Sequence, residues 1–540
     1  MEKKLETEKY TQENLFDAGS LKDLKISFLE SSLDKQNKKV DFLEKTLVQI
    51  KEKYAEVVRE VYGTKSEKYK HLEQLGIVFN EVELESLNED STEEDGPNTV
   101  GKEIIDVKGH TKKRGHRKPL PADLPREIIK VELPEVEQKD EQGNILKIIG
   151  YEKSEKLDYE PAKLKVIEYH RAKYGYATGD YVKTAPLKAL LPKTMATEGL
   201  LSSIIVSKYA DGLPLYRQEE IFSRFDIDIP RSTQARWVIQ AATKLIPIYN
   251  VLNERLLLSD YVSCDETRFQ VLKEKDRKAE QQSWMWVRST PSGQNKIILF
   301  DYDPSRAGSV AEKLFLDFKG YLQCDQYGGY NQLEENEFII RVGCSMHARR
   351  YFEKAFTIGS KSGKVLAEQA LEFYQKLFSI EEEIREKEPC ERKKTREEKS
   401  KPIWDEFKEF VDKNKSKIPE ESKLGKAFTY FSNGYLHLTK YLEDGRLEID
   451  SGFVERAIRK FTIGRNNWMF ADTEAGANSS ALLYSLIVTM KVNQVNPYKA
   501  LKYVLEELAQ LDETTSADQL LEKYESLADI ILAIKPIPEK

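Results

Sequence analysis

Cysteine is scarce in this 540-residue chain, and its few copies form no recognisable metal-binding or disulfide pattern. The four cysteines, Cys264, Cys324, Cys344 and Cys390, show no CxxC spacing. Such usage fits a reducing compartment and argues against a disulfide framework or a cysteine-rich zinc site. We therefore expect no redox chemistry.

Long apolar segments are also lacking. No apolar run approaches the roughly 20 residues that a helix needs to span a bilayer. The first residues, MEKKLETEKYTQEN, lack the apolar stretch of a secretory signal. We therefore expect a cytoplasmic protein with no membrane partner.

Neither sign of charge dominates, since 85 basic residues face 92 acidic ones and the net charge is -7. The molecule as a whole is not an obvious polyanion binder, so any nucleic-acid surface must be local. The hydrophobic share of 40% permits a core, while the charged share of 33% indicates long solvated helices. A chain of this length predicts two or three structured parts.

The N-terminal residues 20–75 carry a heptad pattern. From Ile26 to Val61 the apolar residues alternate at spacings of three and four, with only Gln36 out of pattern. This spacing predicts a coiled coil. Self-association into a homo-oligomer and an intramolecular helical hairpin both remain open.

An acidic linker and a basic arm follow. Residues 76–107 hold a run of acids that ends in Gly96-Pro97, a composition that cannot build a core. Residues 108–126 form a basic arm suited to phosphates or a narrow minor groove, although solvated basic loops are common. Its candidate DNA contacts are Lys112, Lys113, Arg114, Arg117 and Lys118.

Two further segments precede the main domain. Alternating stretches at 128–131 and 164–167 predict strands, so residues 127–182 are expected to form a small β module. Residues 183–257 are strongly helical, and residues 230–233 offer a helix start. This segment is either a helix-turn-helix DNA reader or a set of packing helices for the next domain.

Residues 258–490 have the pattern of an α/β core. A strand-like segment leads into Asp265 and a second one into Asp325, and each aspartate is expected at a strand end, where α/β sheets bind ligands. Residues from about 360 to 445 are charged and helical, which indicates a helical insertion. Residues 491–540 are expected to form C-terminal helices.

Paired aspartates of this kind suggest a metal site. Two carboxylates at neighbouring strand ends repel each other unless cations lie between them, and their hard oxygen atoms suit Mg²⁺ or Mn²⁺. Glu455, beside Arg456 and Arg459, is the candidate third ligand, and three carboxylates with two ions match in-line phosphoryl transfer. Among 92 acidic residues, however, residue type alone would make each of them an ordinary surface acid.

The surrounding motifs single these acids out, because five blocks together resemble the insertion-sequence-66 family of transposases. The blocks follow the family's order, and the leucine-zipper start and the basic arm also match, so the resemblance spans nearly the whole chain. The blocks are HRKPLPADLPRE (116–127), VSCDETRFQV (262–271), YLQCDQYGGYNQL (321–333), GCSMHARRYFEKAF (343–356) and DSGFVERAIRKFTIGRNNWMFADTEAGANSSALLYSLIVT (450–489).

The resemblance implies a ribonuclease-H-like catalytic core whose Asp-Asp-Glu triad is Asp265, Asp325 and Glu455, binding two Mg²⁺ or Mn²⁺ ions. The implied substrates are double-stranded DNA, namely the terminal inverted repeats of a mobile element and a target duplex. The implied reaction is hydrolytic cleavage followed by strand transfer. The resemblance also implies a bacterial protein that is associated with the nucleoid when it is bound to DNA. Small accessory proteins of the same element are the implied partners.

Other residues of these blocks are candidates for DNA contact. His347 could be a general base or a structural histidine, and Trp468 could stack on a flipped base or belong to the core. The expected phosphate contacts in the core are Arg349, Arg350, Arg456, Arg459 and Arg465.

Two departures from the family pattern stand out. Members typically carry a cysteine-based zinc segment before the core, but residues 127–180 contain no cysteine, so a module without zinc is expected. The tripeptide at 450–452 reads Asp-Ser-Gly where Asp-Asn-Asn is usual. A catalytically inactive DNA-binding remnant and a two-metal nuclease without strand transfer remain alternatives, although the intact triad favours an active transposase.

Overall fold

The computed structural model describes residues 164–168, 170, 173–175, 182–184, 188–192, 194–291, 293, 295–511 and 515–538. The chain divides into two compact units, Glu89–Leu187 and a larger unit that includes Lys188–Lys540. The predicted coiled coil (20–75), acidic linker (76–107) and basic arm (108–126), with Lys112, Lys113, Arg114, Arg117 and Lys118, lie outside the described residues.

The smaller unit contains one described hairpin, in which strands β1 (Lys173–Gly175) and β2 (Val182–Thr184) pair antiparallel. Residues 164–168, where a strand was predicted, form no strand. Val166 is 95% exposed, so the alternation of apolar residues there is not matched by a buried face.

Helices α1 (Glu198–Tyr209), α2 (Leu215–Ser223) and α3 (Arg231–Leu257) precede the main sheet. Pro230 ends the preceding segment and fixes the start of α3, as the sequence indicated. One side of α3 is buried along its length, from Trp237 to Leu256, and contacts the C-terminal helices. Packing against the main domain is therefore the role that the structure gives this 27-residue helix.

The core of the larger unit is a mixed sheet. Its strands are β3 (Tyr261–Lys273), β4 (Ser283–Ser289), β5 (Ile298–Asp303), β6 (Gly320–Gln323), β7 (Ile339–Val342) and β8 (Phe470–Thr473). The order is β5-β4-β3-β6-β7, and β8 pairs with the far end of β3. The β3–β4 and β4–β5 pairs are antiparallel, whereas β6 and β7 run parallel to β3. The fold is therefore mixed α/β.

The helices that surround this sheet include those in the stretches predicted as the insertion and the C-terminal segment. They are α4 (Gly308–Leu314), α5 (Ser345–Ile358), α6 (Lys361–Ile384), α7 (Pro389–Thr395), α8 (Lys401–Lys415), α9 (Lys423–Thr439), α10 (Gly452–Trp468), α11 (Glu474–Val492), α12 (Pro497–Gln510) and α13 (Ala517–Ile531). None of the described helices is long and apolar enough to cross a membrane.

The helical insertion, α6 to α9, has a hydrophobic core of its own. Phe407 and Phe431 lie with ring centroids 4.3 Å apart at its centre, and Trp404 is fully buried beside them. This second core includes Tyr261 of the central strand β3. The insertion is thus tied to the sheet by burial of apolar surface.

A buried guanidinium organises the end of the insertion. Arg396 is fully buried. Its Nε and Nη2 donate to Glu381 at 2.9 and 2.6 Å, and Nη2 also donates to the Leu447 carbonyl at 2.9 Å. The chain that leads from the insertion back to α10 is therefore held by hydrogen bonds to one side chain.

We expect Arg396→Met to lower the free energy of unfolding by about 3–5 kcal/mol, because it removes both hydrogen bonds to the buried Glu381 carboxylate and leaves it only the more distant Arg392, at 3.6 Å. Urea denaturation followed by far-UV circular dichroism measures the change. Lys399→Met, which removes the exposed ion pair with Glu383, is the matched control and should change stability little. Equal effects of the two substitutions would contradict this account.

Candidate active site

The two predicted aspartates lie side by side because of the register between β3 and β6. The parallel pairing runs from Tyr261 opposite Tyr321 to Ser263 opposite Gln323, and Asp265 and Asp325 each follow two residues later. The prediction that Asp265 ends a short strand was wrong, since β3 continues to Lys273. The antiparallel pairing of β3 with β4 extends the strand beyond the aspartate.

The loop after β6 is held by hydrogen bonds to its backbone. Asp325 accepts the Tyr327 N–H at 2.9 Å through Oδ1, and its carbonyl accepts from Arg341 at 2.8 Å. The Gln326 N–H donates to the hydroxyl of Tyr430, in helix α9, at 3.2 Å. The insertion therefore helps to position one of the two aspartates.

Helix α10 brings Glu455 to the same place. Its N-cap residue, Ser451, donates to the Cys344 sulfur through both its backbone N–H and its hydroxyl, at 3.3 and 3.1 Å. Farther along α10, Arg465 donates to the Thr267 hydroxyl at 3.3 Å. The helix is thus fastened along β3, with Glu455 in its first turn.

Glu455 has two basic neighbours from helix α5. Arg350 donates to its Oε2 in a close ion pair, and His347 Nδ1 lies 3.5 Å from its Oε1. The side chains of Glu455 and His347 are only 15% and 19% exposed. Neither Glu455 Oε1 nor His347 Nδ1 has a hydrogen-bond partner within the described part of the chain.

The electrostatics of Asp265 indicate a site built for added positive charge. Burial raises the pKa of Asp265 to about 7; the nearby His347 opposes this shift, while the charges of Glu266, Glu455 and Asp325 reinforce it. Such mutual repulsion among buried carboxylates is relieved when a cation binds between them.

The available donor atoms fit a hard divalent cation. Carboxylate oxygens are the ligands that Mg²⁺ and Mn²⁺ prefer. Glu455 Oε1 is a buried carboxylate oxygen without a hydrogen-bond partner among the described residues. Cys344, His347 and Glu455 also place possible ligand atoms within 4.8 Å of one another. Burial raises the pKa of the Cys344 thiol, so the thiol is protonated at neutral pH in the metal-free protein.

A fourth acid, Glu266, follows Asp265 in β3 and was not predicted as a site residue. It is 8% exposed, accepts from the Tyr330 hydroxyl at 2.6 Å and forms an ion pair with Arg306. The Tyr327 hydroxyl donates to the Arg306 carbonyl at 2.7 Å, which links this pair to the Asp325 loop. Because side chains alternate along a strand, the sequence places Glu266 on the other face of the sheet from Asp265. Nothing in the sequence identified Arg306 as the partner of Glu266.

The predicted arginines have different surroundings. Arg350 contacts Glu455, and Arg456, Arg459 and Arg465 lie along α10 beside it. Arg349, in contrast, is 4% exposed and pairs with Glu353 at 2.7 Å. A buried and paired guanidinium cannot reach a phosphate, so Arg349 is better explained by packing of α5.

Trp468 belongs mainly to the protein interior. Its ring packs edge-on against Tyr209, with centroids 6.3 Å apart, and also contacts Tyr484. The alternative of a structural core aromatic, which the sequence left open, agrees with these contacts.

We expect Asp265→Asn to stabilise the metal-free protein at pH 8, because the wild-type carboxylate is then charged and buried beside other acids. A folded-state pKa raised to about 7 means that wild-type stability falls as the pH rises towards 7. The gain from the substitution should therefore shrink as the pH falls from about 7 towards 4.

Thermal unfolding in a chelating buffer across this pH range measures the effect. Asp228→Asn, which removes the same charge at an exposed position, controls for net charge. A gain in stability from Asp265→Asn that does not depend on pH would refute the assigned pKa.

The chain is similar in sequence to known proteins over most of its length. Residues 193–479 match the family described as "Transposase IS66 family", and residues 49–129 match the one described as "Transposase C of IS166 homeodomain". Uncharacterized protein y4qI of Sinorhizobium fredii (strain NBRC 101917 / NGR234) is 33% identical over 472 residues, 84% of each chain. Uncharacterized protein y4jD of the same strain is 32% identical, over 74% of this chain and 80% of its own. The chain belongs to the IS66 family of transposases.

Proposed function

We propose that this chain is an active transposase that cleaves DNA at the terminal inverted repeats of an insertion sequence and joins the ends to a target duplex. The observation that carries the proposal is the geometry of the acids: the β3–β6 register sets Asp265 and Asp325 in matching positions, and Glu455 in the first turn of α10 acts electrostatically on the buried Asp265. Such a cluster costs free energy in the metal-free protein, so a function that brings in divalent cations accounts for it.

Asp265, Asp325 and Glu455 would hold two Mg²⁺ or Mn²⁺ ions. When bound, a pair of such ions activates water or a 3'-hydroxyl and stabilises the leaving oxygen of an in-line displacement. Asp325 keeps its Oδ1 engaged by the Tyr327 N–H, which leaves the other carboxylate oxygen for coordination. The two aspartates are fixed by the sheet, so little reorganisation is needed.

The ion pair with Arg350 would make metal binding by Glu455 depend on the DNA substrate. The guanidinium, 42% exposed, neutralises Glu455 in the metal-free protein. An incoming DNA phosphate is a competing partner for the same guanidinium. Transfer of Arg350 from the carboxylate to the phosphate would free Glu455 for coordination when the substrate arrives.

His347 lies at the edge of the same cluster. Its Nδ1 is near Glu455 Oε1, and its Nε2 lies 3.3 Å from an Arg350 nitrogen. We propose that it orients both side chains. A general-base role is not required, because metal-bound nucleophiles need no protein base.

The sheet order supports a ribonuclease-H-like core. An antiparallel three-stranded meander with two parallel strands added beside its first strand puts Asp265 at the centre and Asp325 on the neighbouring strand. The helical insertion observed at α6 to α9 lies between Asp325 and Glu455, as the family pattern implies.

The wider assembly is part of the same proposal. The predicted coiled coil would make the chain a homo-oligomer, and the basic arm would add phosphate contacts to those of Arg350, Arg456, Arg459 and Arg465. The protein would act on cytoplasmic, nucleoid DNA, with small accessory proteins of the same element as partners. A catalytically inactive DNA-binding remnant is the alternative that an assay must separate.

The decisive assay is cleavage of a supercoiled plasmid that carries the element's own ends, with Mg²⁺ or Mn²⁺. We expect Asp265→Asn, Asp325→Asn and Glu455→Gln each to reduce cutting by at least about 100-fold, because each removes a metal ligand. Glu522→Gln, on the exposed side of α13, is the charge-matched control.

DNA binding without cutting by the wild-type chain, even with accessory partners present, would favour the inactive remnant. Cutting without joining to a target duplex would favour a nuclease. Residual cutting at the wild-type rate by Glu455→Gln would remove Glu455 from the triad.

Arg350→Gln should raise the affinity for Mn²⁺ in the absence of DNA by about two- to five-fold, since a partly exposed ion pair contributes less than ~1 kcal/mol. Titration followed by electron paramagnetic resonance measures it. Arg385→Gln, which breaks an exposed pair with Glu382 on the insertion, is the control. An unchanged affinity would show that Arg350 does not compete with the cation.

A further inference from the structure

The start of helix α5 brings a sulfur and an imidazole nitrogen next to the carboxylate of Glu455. Cys344 is the N-cap residue of α5, and His347 lies in the first turn of the same helix. The Cys344 sulfur, one ring nitrogen of His347 and one carboxylate oxygen of Glu455 all lie within 4.8 Å of one another. The site of the two aspartates therefore has a neighbour whose possible ligand atoms are of three different kinds.

The nitrogen and the oxygen of this group are both buried and unsatisfied. His347 Nδ1 and Glu455 Oε1 have no hydrogen-bond partner among the described residues. They lie 3.5 Å apart, close to the separation of about 3.3 Å between two ligand atoms that are each roughly 2.0 Å from a tetrahedral ion. A metal ion would satisfy both atoms with little movement of either side chain.

The sulfur is surrounded by hydrogen-bond donors. Cys344 is fully buried, and Ser451 donates to its Sγ from the backbone N–H at 3.3 Å and from the hydroxyl at 3.1 Å. Donors directed at sulfur favour the thiolate, which is the form that binds metal, and so does the N-terminal end of a helix. Burial and the charge of Glu455 nonetheless raise the pKa of the thiol, and a bound cation opposes both effects.

The mixture of ligand types selects the ion. Mg²⁺ demands near-ideal octahedral geometry and prefers oxygen atoms, so a sulfur and an imidazole nitrogen are poor ligands for it. Zn²⁺ binds thiolate, imidazole and carboxylate in a tetrahedron, often with three protein ligands and one water. Cys344, His347 and Glu455 supply one ligand of each kind.

We propose that Cys344, His347 and Glu455 form a second metal site, which binds one Zn²⁺ through Sγ, Nδ1 and Oε1 with water as the fourth ligand. On binding, the thiol releases its proton to the solvent, so the sulfur–hydrogen bond is replaced by a sulfur–zinc bond. The binding of zinc is independent of the proposed function. Its inhibitory consequence rests on that function, because Glu455 is also the proposed ligand of the catalytic ions.

Zinc at this site would inhibit DNA cleavage. An oxygen of Glu455 that coordinates Zn²⁺ is withdrawn from the catalytic ions. His347 Nε2, which lies 3.3 Å from an Arg350 nitrogen, carries the ring proton once Nδ1 binds the ion, and it then repels that donor. The Arg350 side chain is 42% exposed and can turn to solvent. One zinc ion therefore removes a ligand from the triad and displaces a phosphate-binding arginine.

The test titrates the metal-free full chain with Co²⁺, in a buffer that contains a phosphine reductant. Co²⁺ occupies tetrahedral zinc sites and gives a near-ultraviolet charge-transfer band when it is bound to a thiolate. We expect this band to reach saturation at one cobalt–thiolate bond per chain. Added Zn²⁺ should remove the band, and the competition gives the Kd for zinc.

Two variants address the ligands. Cys344→Ser should abolish the charge-transfer band. His347→Gln should weaken Co²⁺ binding at least about ten-fold, since even the loss of a residue that supports a metal ligand costs that much. Cys390→Ser is the matched control, because it removes the exposed thiol of α7 and should leave both the band and the affinity unchanged. Far-UV circular dichroism checks that each variant is folded.

Several results would overturn the zinc site. They are the absence of a thiolate band in the wild-type chain, a band that persists in Cys344→Ser, and a band that is lost in Cys390→Ser. If Cys344→Ser does not fold, His347→Gln decides the matter, and an unchanged Co²⁺ affinity in that variant would refute the assignment.

Plasmid cleavage with excess Mg²⁺ separates this proposal from the proposed function. Zn²⁺ equimolar with the chain should reduce cutting by about ten-fold or more in the wild type and in Cys390→Ser, each relative to its own rate without zinc. The same fractional inhibition of Cys344→Ser would show that zinc acts elsewhere. A chain that gives the thiolate band but never cuts DNA would contradict the proposed function and leave the zinc site standing.

Discussion

The parallel pairing of β3 with β6 is the constraint on which the rest of the site depends. It sets two acidic residues of distant sequence in matching positions, two residues beyond the last paired residues, Ser263 and Gln323. Two buried features keep this pairing in place. The Tyr261 hydroxyl donates to Gln323 at 2.6 Å, and the Gln323 amide donates to the Glu448 carbonyl at 2.8 Å. The strand pair and the chain that leads into α10 are thus joined by one buried amide.

Charge balance around the triad follows from what each layer contributes. The sheet contributes the acids, and helix α5 contributes the bases His347 and Arg350, which face Glu455. The buried Glu266 forms an ion pair with the half-buried Arg306, and both residues bond to tyrosines of the Asp325 loop. The acids of the cluster therefore outnumber its arginines, and not all of their oxygens have hydrogen-bond partners among the described residues. This excess of acids suits the proposed binding of divalent cations.

The sequence reports local structure through periodicity and the family blocks. Helices occur within 183–257 and within 360–445, where they were predicted, whereas the segments predicted at 20–126 lie outside the described residues. Sequence patterns did not predict the features that depend on tertiary contacts. Nothing local shows that β3 continues through Asp265, since pairing with β4 extends it, or that Arg349 turns inward to Glu353 while Arg350 meets Glu455.

The insertion and the Asp325 loop are in close van der Waals contact. Gly434 of α9 lies so close to the Gln326 side chain that a Cβ would overlap it, and Tyr430 of the same helix holds the Gln326 N–H. The insertion is consequently part of the packing of the domain and cannot be deleted without changing it. Shortened versions of the protein that excise α6 to α9 would uncover Tyr261 and release the Asp325 loop, so any such version must retain α9 or rebuild its surface.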